Sequence, residues 1–539
     1  MQDQSSRQHR RGAVRPIVIS SLMLLALVVV VATVLNRGEM PQESRPIGSP
    51  VESSGESSGD SVAAEELRPQ VAAFCGDCHA TPSPAGFPRA AWHEEVKQGY
   101  DFYYDSGRSD LSPPDFDRVV AWYRSQAPEE IVIPRPVEVE TPNKLRFRVA
   151  AIAASREGQD SLPAVSFVKS CILSPGDTPV LLWCDMRSGE VRAADPLRER
   201  PAARLIGKLR HPAHAEPCDL DGDGRVDLVV AELGSFLPSD HADGKVVWLQ
   251  QQASDVWEPI VIQEGLGRVA DVQPGDFDAD GDVDLVVAEF GWRKTGGIFL
   301  LENLGNTAGT PKFRKRDLDS RHGTIHVPTS DLDGDGRLDF VALISQEHEK
   351  VLAFFNDGAG GFRKEPIFSA NEPSFGSSGI QLVDLDRDGD VDVLYTNGDT
   401  FDSFYPKPYH SIRWLENRGA FPFEDHLLAC MPGVHRALAC DLDGDGDLDI
   451  AACALLPDRQ FGRQTPTDFD SLLWLEQIEP GKFARHSLER GTCQHAVLEV
   501  GDFDGDGDID LAVGRFTEQG RFPSLELWWN LRINAEKSK

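Results

Sequence analysis

Six segments of the chain share one pattern, Asp-x-Asp-x-Asp-Gly-x-x-Asp, starting at Asp219, Asp276, Asp331, Asp384, Asp441 and Asp502. The starts lie 57, 55, 53, 57 and 61 residues apart, and each copy leads straight into an apolar run such as Leu228-Val229-Val230 or Ile450-Ala451-Ala452. A period of this size marks a stacked repeat, and β-type runs after every copy make the unit a small sheet. Strands with Trp, or an apolar residue in its place, recur seven times: Leu181-Leu182-Trp183, Val247-Trp248-Leu249, Phe299-Leu300-Leu301, Leu352-Ala353-Phe354, Arg413-Trp414-Leu415, Leu473-Trp474-Leu475 and Leu525-Glu526-Leu527-Trp528. Units of about 55 residues with about four short strands each are propeller blades. The sequence thus predicts a mainly β chain, with a seven-bladed β-propeller over 144–535. Six blades carry an Asp loop, and a first blade, roughly 144–205, lacks one.

The loop pattern has a chemical reason. In a tight turn the carboxylates at positions 1, 3 and 5 converge on one point, and Gly at 6 takes the left-handed conformation. Position 7 offers a carbonyl, and Asp at 9 closes the shell. Hard oxygens in this number suit Ca²⁺, so up to six ions are expected. The expected ligands are Asp219, Asp221, Asp223 and Asp227, then Asp276, Asp278, Asp280 and Asp284, then Asp331, Asp333, Asp335 and Asp339. The last three loops offer Asp384, Asp386, Asp388 and Asp392, then Asp441, Asp443, Asp445 and Asp449, then Asp502, Asp504, Asp506 and Asp510. An EF-hand would need Glu at position 12 and flanking helices. Position 12 here is Val230, Val287, Ala342, Tyr395, Ala452 or Val513. The loops hold 28 of the 87 acidic residues; 54 basic ones leave a net charge of −33. A field of that sign argues against nucleic acid as a partner.

On these Asp loops, region 144–535 resembles the FG-GAP/VCBS repeat family of β-propellers. The resemblance implies that each loop joins a blade's innermost strand to its second. Residues preceding a loop then enter near the axis from the opposite face. This places His214, His326, His435, Arg436 and His495 around the axis, as a candidate site for an anion, a metal or a partner side chain. The plainer reading is a set of hydrogen-bonded structural residues. Connections 397–410 and 457–470 return to the same face, and Glu232 and Glu289, at matching positions in two blades, either join its rim or cap turns.

The N-terminal part reads differently. Residues 1–16 carry Arg7, Arg10, Arg11 and Arg15, and 17–35 are apolar apart from Ser20, Ser21 and Thr33. As a helix this run spans about 28 Å, close to a hydrocarbon core of ~30 Å. The basic flank stays in the cytoplasm, so a transmembrane signal anchor is expected, with the bulk of the chain on the extracytoplasmic side of the cytoplasmic membrane. Residues 36–64 read as a disordered tether and 129–143 as a Pro/Glu linker.

Between them, 65–128 contain Cys75-Gly76-Asp77-Cys78-His79. In C-x-x-C-H, both thiols reach the vinyl groups of one haem from a single turn, and the adjacent His ligates the iron. A zinc site would need a second Cys/His pair, which does not follow. Pro69 is expected in the first turn of a helix leading into the motif. Pro113-Pro114 opens another helix, with Phe116, Val119, Val120 and Tyr123 along one face. The segment resembles a short class I cytochrome c, a small all-α domain carrying one haem c on Cys75 and Cys78 with His79 as axial ligand. It departs from that pattern in having no methionine, and His93 is the other imidazole available as a second axial ligand.

No nucleophile elbow, Walker loop, HExxH or dinucleotide fingerprint is present, so the sequence leans away from an enzyme. The leading expectation is a membrane-anchored electron-transfer protein whose calcium-stabilised propeller binds an unidentified redox partner or surface ligand. The alternatives are an oxidoreductase whose axial face oxidises a substrate and passes electrons to the haem, and an adhesion, scaffold or haem-sensor protein.

Overall fold

The computed structural model describes residues 58–135, 144–152, 162–174, 176–198, 203–253, 256–307, 309–401, 404–456 and 468–532. The expected anchor at 17–35 lies outside these residues, as do most of the tether and residues 136–143 of the linker. Among the described residues no helix is long and apolar enough to cross a membrane.

Seven sheets form the propeller, each built from strands that pair antiparallel in sequence order. The inner strands are Val165–Cys171, Pro212–Cys218, Val269–Gly275, Thr324–His326 (continued by Thr329–Ser330), Ser377–Val383, Val434–Cys440 and His495–Gly501. Neighbouring inner strands touch, and the seventh touches the first, which closes the ring. Closure is also made by strand pairing. Phe147–Ile152 leaves its expected place in the first blade and pairs with Leu525–Asn530 as the outermost strand of the seventh, from Phe147↔Asn530 to Ile152↔Leu525. Blade 1 is therefore Val165–Lys208, and Leu181-Leu182-Trp183 lies in its second strand, whereas the other six Trp-type segments lie in third strands. The physical reason is that an open last blade would leave an unpaired edge, which the N-terminal strand covers.

The blades stack face to face, so second strands are buried on both sides. Asp227–Glu232, Asp339–Ile344 and Asp510–Arg515 are buried at every residue. This is why their sequences are continuous apolar runs rather than alternating ones. One apolar cluster lies between each pair of adjacent blades. Leu394, Ile412, Ala437 and Ile450 join blades 5 and 6, for example, while Val165, Trp183, Ala512 and Leu527 join 1 and 7.

Before the propeller comes a small helical domain: α1 (Ser58–Cys75), a 3₁₀ turn (Pro84–Gly86), α2 (Trp92–Asp105) and α3 (Phe116–Gln126). α1 begins inside the expected tether, and Pro69 sits within the helix rather than in its first turn. α3 starts after Pro113-Pro114 as expected, with Asp115 as N-cap accepting the Arg118 amide at 3.0 Å. Val119, Val120 and Tyr123 face a core shared with Leu67, Val71, Trp92 and Val96. Tyr123 stacks on Trp92 at 3.9 Å.

Candidate functional site

The sheet topology separates two propeller faces. Connections from inner to second strand, which include all six Asp loops, emerge on one. Connections from second to third strand, and from each outer strand to the next blade, emerge on the other.

On the first face, the ligand oxygens of Asp219, Asp221 and Asp227 lie within 4.8 Å of one another, as do those of Asp276, Asp278, Asp284 and of Asp331, Asp333, Asp339. The loops hold their own shape. Asp219 accepts the amides of Asp223 and Gly224 at 3.1 and 2.9 Å, and Asp331 does the same for Asp335 and Gly336. Position 9 is the buried member. Burial raises Asp227, Asp284 and Asp392 to about 6, and Asp449 and Asp510 to about 7, with neighbouring loop carboxylates adding to the rise. Buried carboxylate oxygens of Asp227, Asp384, Asp441, Asp447 and Asp449 have no hydrogen-bond partner among the described residues. Clustered anions with enclosed, unsatisfied oxygens are a donor set that fits a hard cation.

At the axis, the bulged inner strands align their residues in layers. His214, Asp271, His326, Gly379 and Arg436 face equivalent positions of their second strands, and Glu216, Gln273, Gln381 and Glu499 form the next layer. His214 Nε2 lies 2.8 Å from Glu216 Oε1 and 3.3 Å from Asp271 Oδ1. His326 Nδ1 is 3.8 Å from the other oxygen of Asp271. Burial would raise Asp271, but His214, His326 and the Val327 amide outweigh it and hold the carboxyl far below the ordinary range. Lys169 bonds Glu216 at 2.5 Å. Arg436 donates to Ile380 O at 2.9 Å, and its charge faces Glu499, Asp271 and Glu216.

The structure therefore brings three of the five expected axial residues together. His495 is instead paired with Glu489 at 2.5 Å, and His435, lowered to about 4 by burial, donates its hydrogen bond to the Ala496 backbone. His435 is the bulge residue just before Arg436, and His495 lies two residues before Val497, which holds the seventh blade's place in the layer of His214 and Arg436, so a common site for four histidines does not form. The inner-strand bulge, one residue wide, decides this. Asp271, Glu216 and Lys169 escaped the sequence reading, although aligning the inner strands two residues apart would have found them. Glu289 caps a turn, accepting the Gly267 amide at 2.6 Å.

In the helical domain, Cys75 closes α1 and the chain turns at once. The turn needs Gly76, because a Cβ there would lie 2.4 Å from Ala72 O and 2.6 Å from Thr81 Oγ1. Burial pushes the Cys75 thiol up to about 11, and the nearby Tyr123 hydroxyl opposes the rise. Arg108 secures the far side of the loop, at 2.7 Å from Asp77 and 3.2 Å from Cys78 Sγ. His79 Nδ1 lies 2.7 Å from Ala80 O. A donated Nδ1 proton fixes the tautomer that leaves Nε2 able to bind a metal. The donor set thus fits a covalent haem. His93 is half exposed, bonds Glu94 at 3.0 Å and meets Phe116 edge-on, and neither neighbour belongs to the CxxCH loop.

The helical domain sits on the propeller face opposite the Asp loops. Glu372 accepts the Ser83 amide at 2.9 Å. Lys407, wholly buried, donates to Gly86 O at 2.6 Å and lies 3.4 Å from the Phe87 ring centre. Burial lowers Lys407 to about 8, while Glu95 and Glu372 oppose the fall. Arg293 covers Phe102 at 3.7 Å.

These features define a class: a seven-bladed propeller built on FG-GAP-like repeats, whose family pattern matches residues 219–287 and 290–395. Cartilage acidic protein 1 of Mus musculus is 23% identical over 407 residues, which is 69% of this chain and 57% of that protein. The Homo sapiens protein of the same name is 24% identical over 407 residues, 69% of this chain and 56% of its own length. The chain thus spans less than two thirds of these curated relatives. A solved structure of BBS1N in complex with ARL6DN, soaked with lead, aligns with a TM-score of 0.43 at 12% identity, covering 72% of this chain and 97% of that one.

Proposed function

We propose that the protein is an exported, membrane-anchored electron carrier: one haem c on Cys75 and Cys78, with His79 on the iron, borne by a calcium-stabilised propeller that serves as a binding platform. The carrying observation is the CxxCH turn at the end of α1, with His79 oriented by Ala80 O. Haem bound there supplies one-electron redox chemistry. The chain's part is to hold the imidazole in one tautomer, to bury Cys75 against Tyr123, and to seat the domain on the propeller through Lys407 and Glu372. Calcium would neutralise Asp loops that otherwise repel themselves.

The test is the absorption spectrum of the purified, reduced full chain from a host that attaches c-type haem, with and without carbon monoxide. Covalent haem bands lost in Cys75→Ser are expected. A chain that matures without covalent haem overturns the reading. Bands unchanged by carbon monoxide mean a capped iron and favour electron transfer. A shifted Soret band moves the function to ligand sensing or catalysis.

The buried His214–Asp271–His326 arrangement favours one second reading, oxidation of a small molecule at the axial face with electrons passed to the haem. Haem reduction that depends on added substrate, and falls in Asp271→Asn, would support it.

A further inference from the structure

We propose that His322, Glu347 and His348 form a site for a divalent transition-metal ion of the zinc type, separate from the Asp loops. The site stands on the propeller face that carries the helical domain and is independent of the haem reading.

Its three residues come from two connections of blade 4. His322 precedes the inner strand, and Glu347 and His348 lie between the second and third strands. Antiparallel pairing of Thr324 with Ile344, and a 2.8 Å bond from Ser345 N to Gly323 O, brings the two connections side by side. One ligand atom from each side chain lies within 4.8 Å of the others. His322 Nε2 is 2.9 Å from Glu347 Oε1, and the two imidazole centres are 5.0 Å apart. Ligands around a tetrahedral ion stand about 3.4 Å apart, given bonds of ~2.1 Å, so small side-chain rotations suffice. His348 Nε2 is enclosed and has no hydrogen-bond partner among the described residues.

The loop is held rather than free. Gln346 and Glu349, on either side of the pair, take positive φ values of 57° and 43°. Strain of this kind persists only where the surroundings enforce it. Here the enforcement is visible: the buried Glu349 carboxylate accepts the amides of Gly376 and Ser377 at 2.9 and 3.0 Å.

Donor chemistry separates this site from the six loops. The loops offer oxygen alone and select hard cations, whereas two imidazoles with one carboxylate select zinc-like ions. Three protein ligands leave a fourth position open to water or an exchangeable ligand, the arrangement of reactive rather than purely structural zinc sites. Glu347 also lies within electrostatic reach of Cys78. An ion here would stand beside the CxxCH loop and add positive charge next to it.

The experiment is a Co²⁺ titration of the full chain with saturating Ca²⁺, read by visible absorption and competed with Zn²⁺. One Co²⁺ per chain, with the strong bands of a four-coordinate ion and displacement by one equivalent of Zn²⁺, is expected. His348→Gln and Glu347→Gln should each weaken binding at least tenfold, while the calcium-dependent melting temperature stays at the wild-type value. A Cys75→Ser/Cys78→Ser chain should keep the cobalt bands. Wild-type protein without stoichiometric Co²⁺, unchanged binding in both glutamine variants, or bands lost with the cysteines would each overturn the proposal.

Discussion

On one propeller face, six position-9 aspartates perform the same task. Asp227, Asp284, Asp339, Asp392, Asp449 and Asp510 each accept a backbone amide from the C-terminal part of the third strand or the residue just after it, at 2.7–2.8 Å. The donors are Gln251, Asn303, Asn356, Asn417, Gln477 and Asn530, and five of them also reach back with their side-chain amide to the carbonyl before the aspartate. On the opposite face the described connections carry different side chains. One carries Arg293, another Glu347 and His348, others Glu372 and Lys407. Repetition lies where every blade faces the same structural problem. Variation lies where a single surface is built for this chain alone.

Calcium removal tests the repetitive face hardest. With free Ca²⁺ a hundredfold above Kd, each filled loop adds ~2.7 kcal/mol, and several together rival the ~5–15 kcal/mol that holds a typical domain folded. Adding a chelator should lower the propeller's melting temperature by tens of degrees. A melting curve indifferent to chelator would make the loops plain acidic turns.

The second effect is smaller and asks whether the six loops are equivalent. Asp284→Ala leaves the amides of Asn303 and Phe277 without acceptors. At ~1–3 kcal/mol for each buried unpaired group, the loss is about 2–6 kcal/mol, read as a fall in the urea midpoint. Asp339→Ala and Asp510→Ala should match it. Glu289→Ala on the other face orphans the Gly267 amide alone and should lose about half as much.

This contrast also explains what the sequence disclosed. The Asp loops, the blade count and the apolar second strands are readable because a repeat writes the same constraint six times. The closing strand at 147–152 was assigned to the wrong blade, since pairing across the ring leaves no local trace. His214 and Arg436 reached the axis as expected, but His435 and His495 did not, because a one-residue bulge turns neighbours to different sides. His322 and His348, 26 positions apart in sequence, meet only through strand register. Lys407 has no sequence signal of its own; its burial comes from Phe87 and Gly86, contributed by a distant segment.

Between the two faces lies the axial layer that holds Glu216, Gln273 and Glu499, and its test is pH. Burial raises Glu499 from an ordinary 4.5 to about 7, while Arg436 and Lys169 oppose the rise and Glu216 adds to it. A folded-state value above the unfolded one favours the native state at low pH. That contribution is complete below about 4.5 and disappears as pH climbs through about 7. Glu499→Gln should therefore flatten the decline in stability between these limits by about 1–3 kcal/mol, after allowance for the group's partial exposure. Urea midpoints at both ends of the window, compared between wild type and variant, remove the background from the loop carboxylates. Parallel curves would place Glu499 in contact with water rather than enclosed in that layer.

The smallest effect concerns how the helical domain is held. Arg293 lies over Phe102, whose ring is 37% exposed, so the pair is worth about 0.5–1 kcal/mol. Arg293→Ala should raise hydrogen exchange in α2 by about two- to fivefold and leave the propeller's exchange untouched. Lys407→Met removes the bond to Gly86 O and the charge over Phe87 at once, and should act more strongly on the same amides. If the two substitutions proved equal, docking would be spread evenly over the face, and its irregular connections would be mere spacers. A clear excess for Lys407→Met would instead fix the contact on one buried lysine, as expected of a surface made for a single occupant.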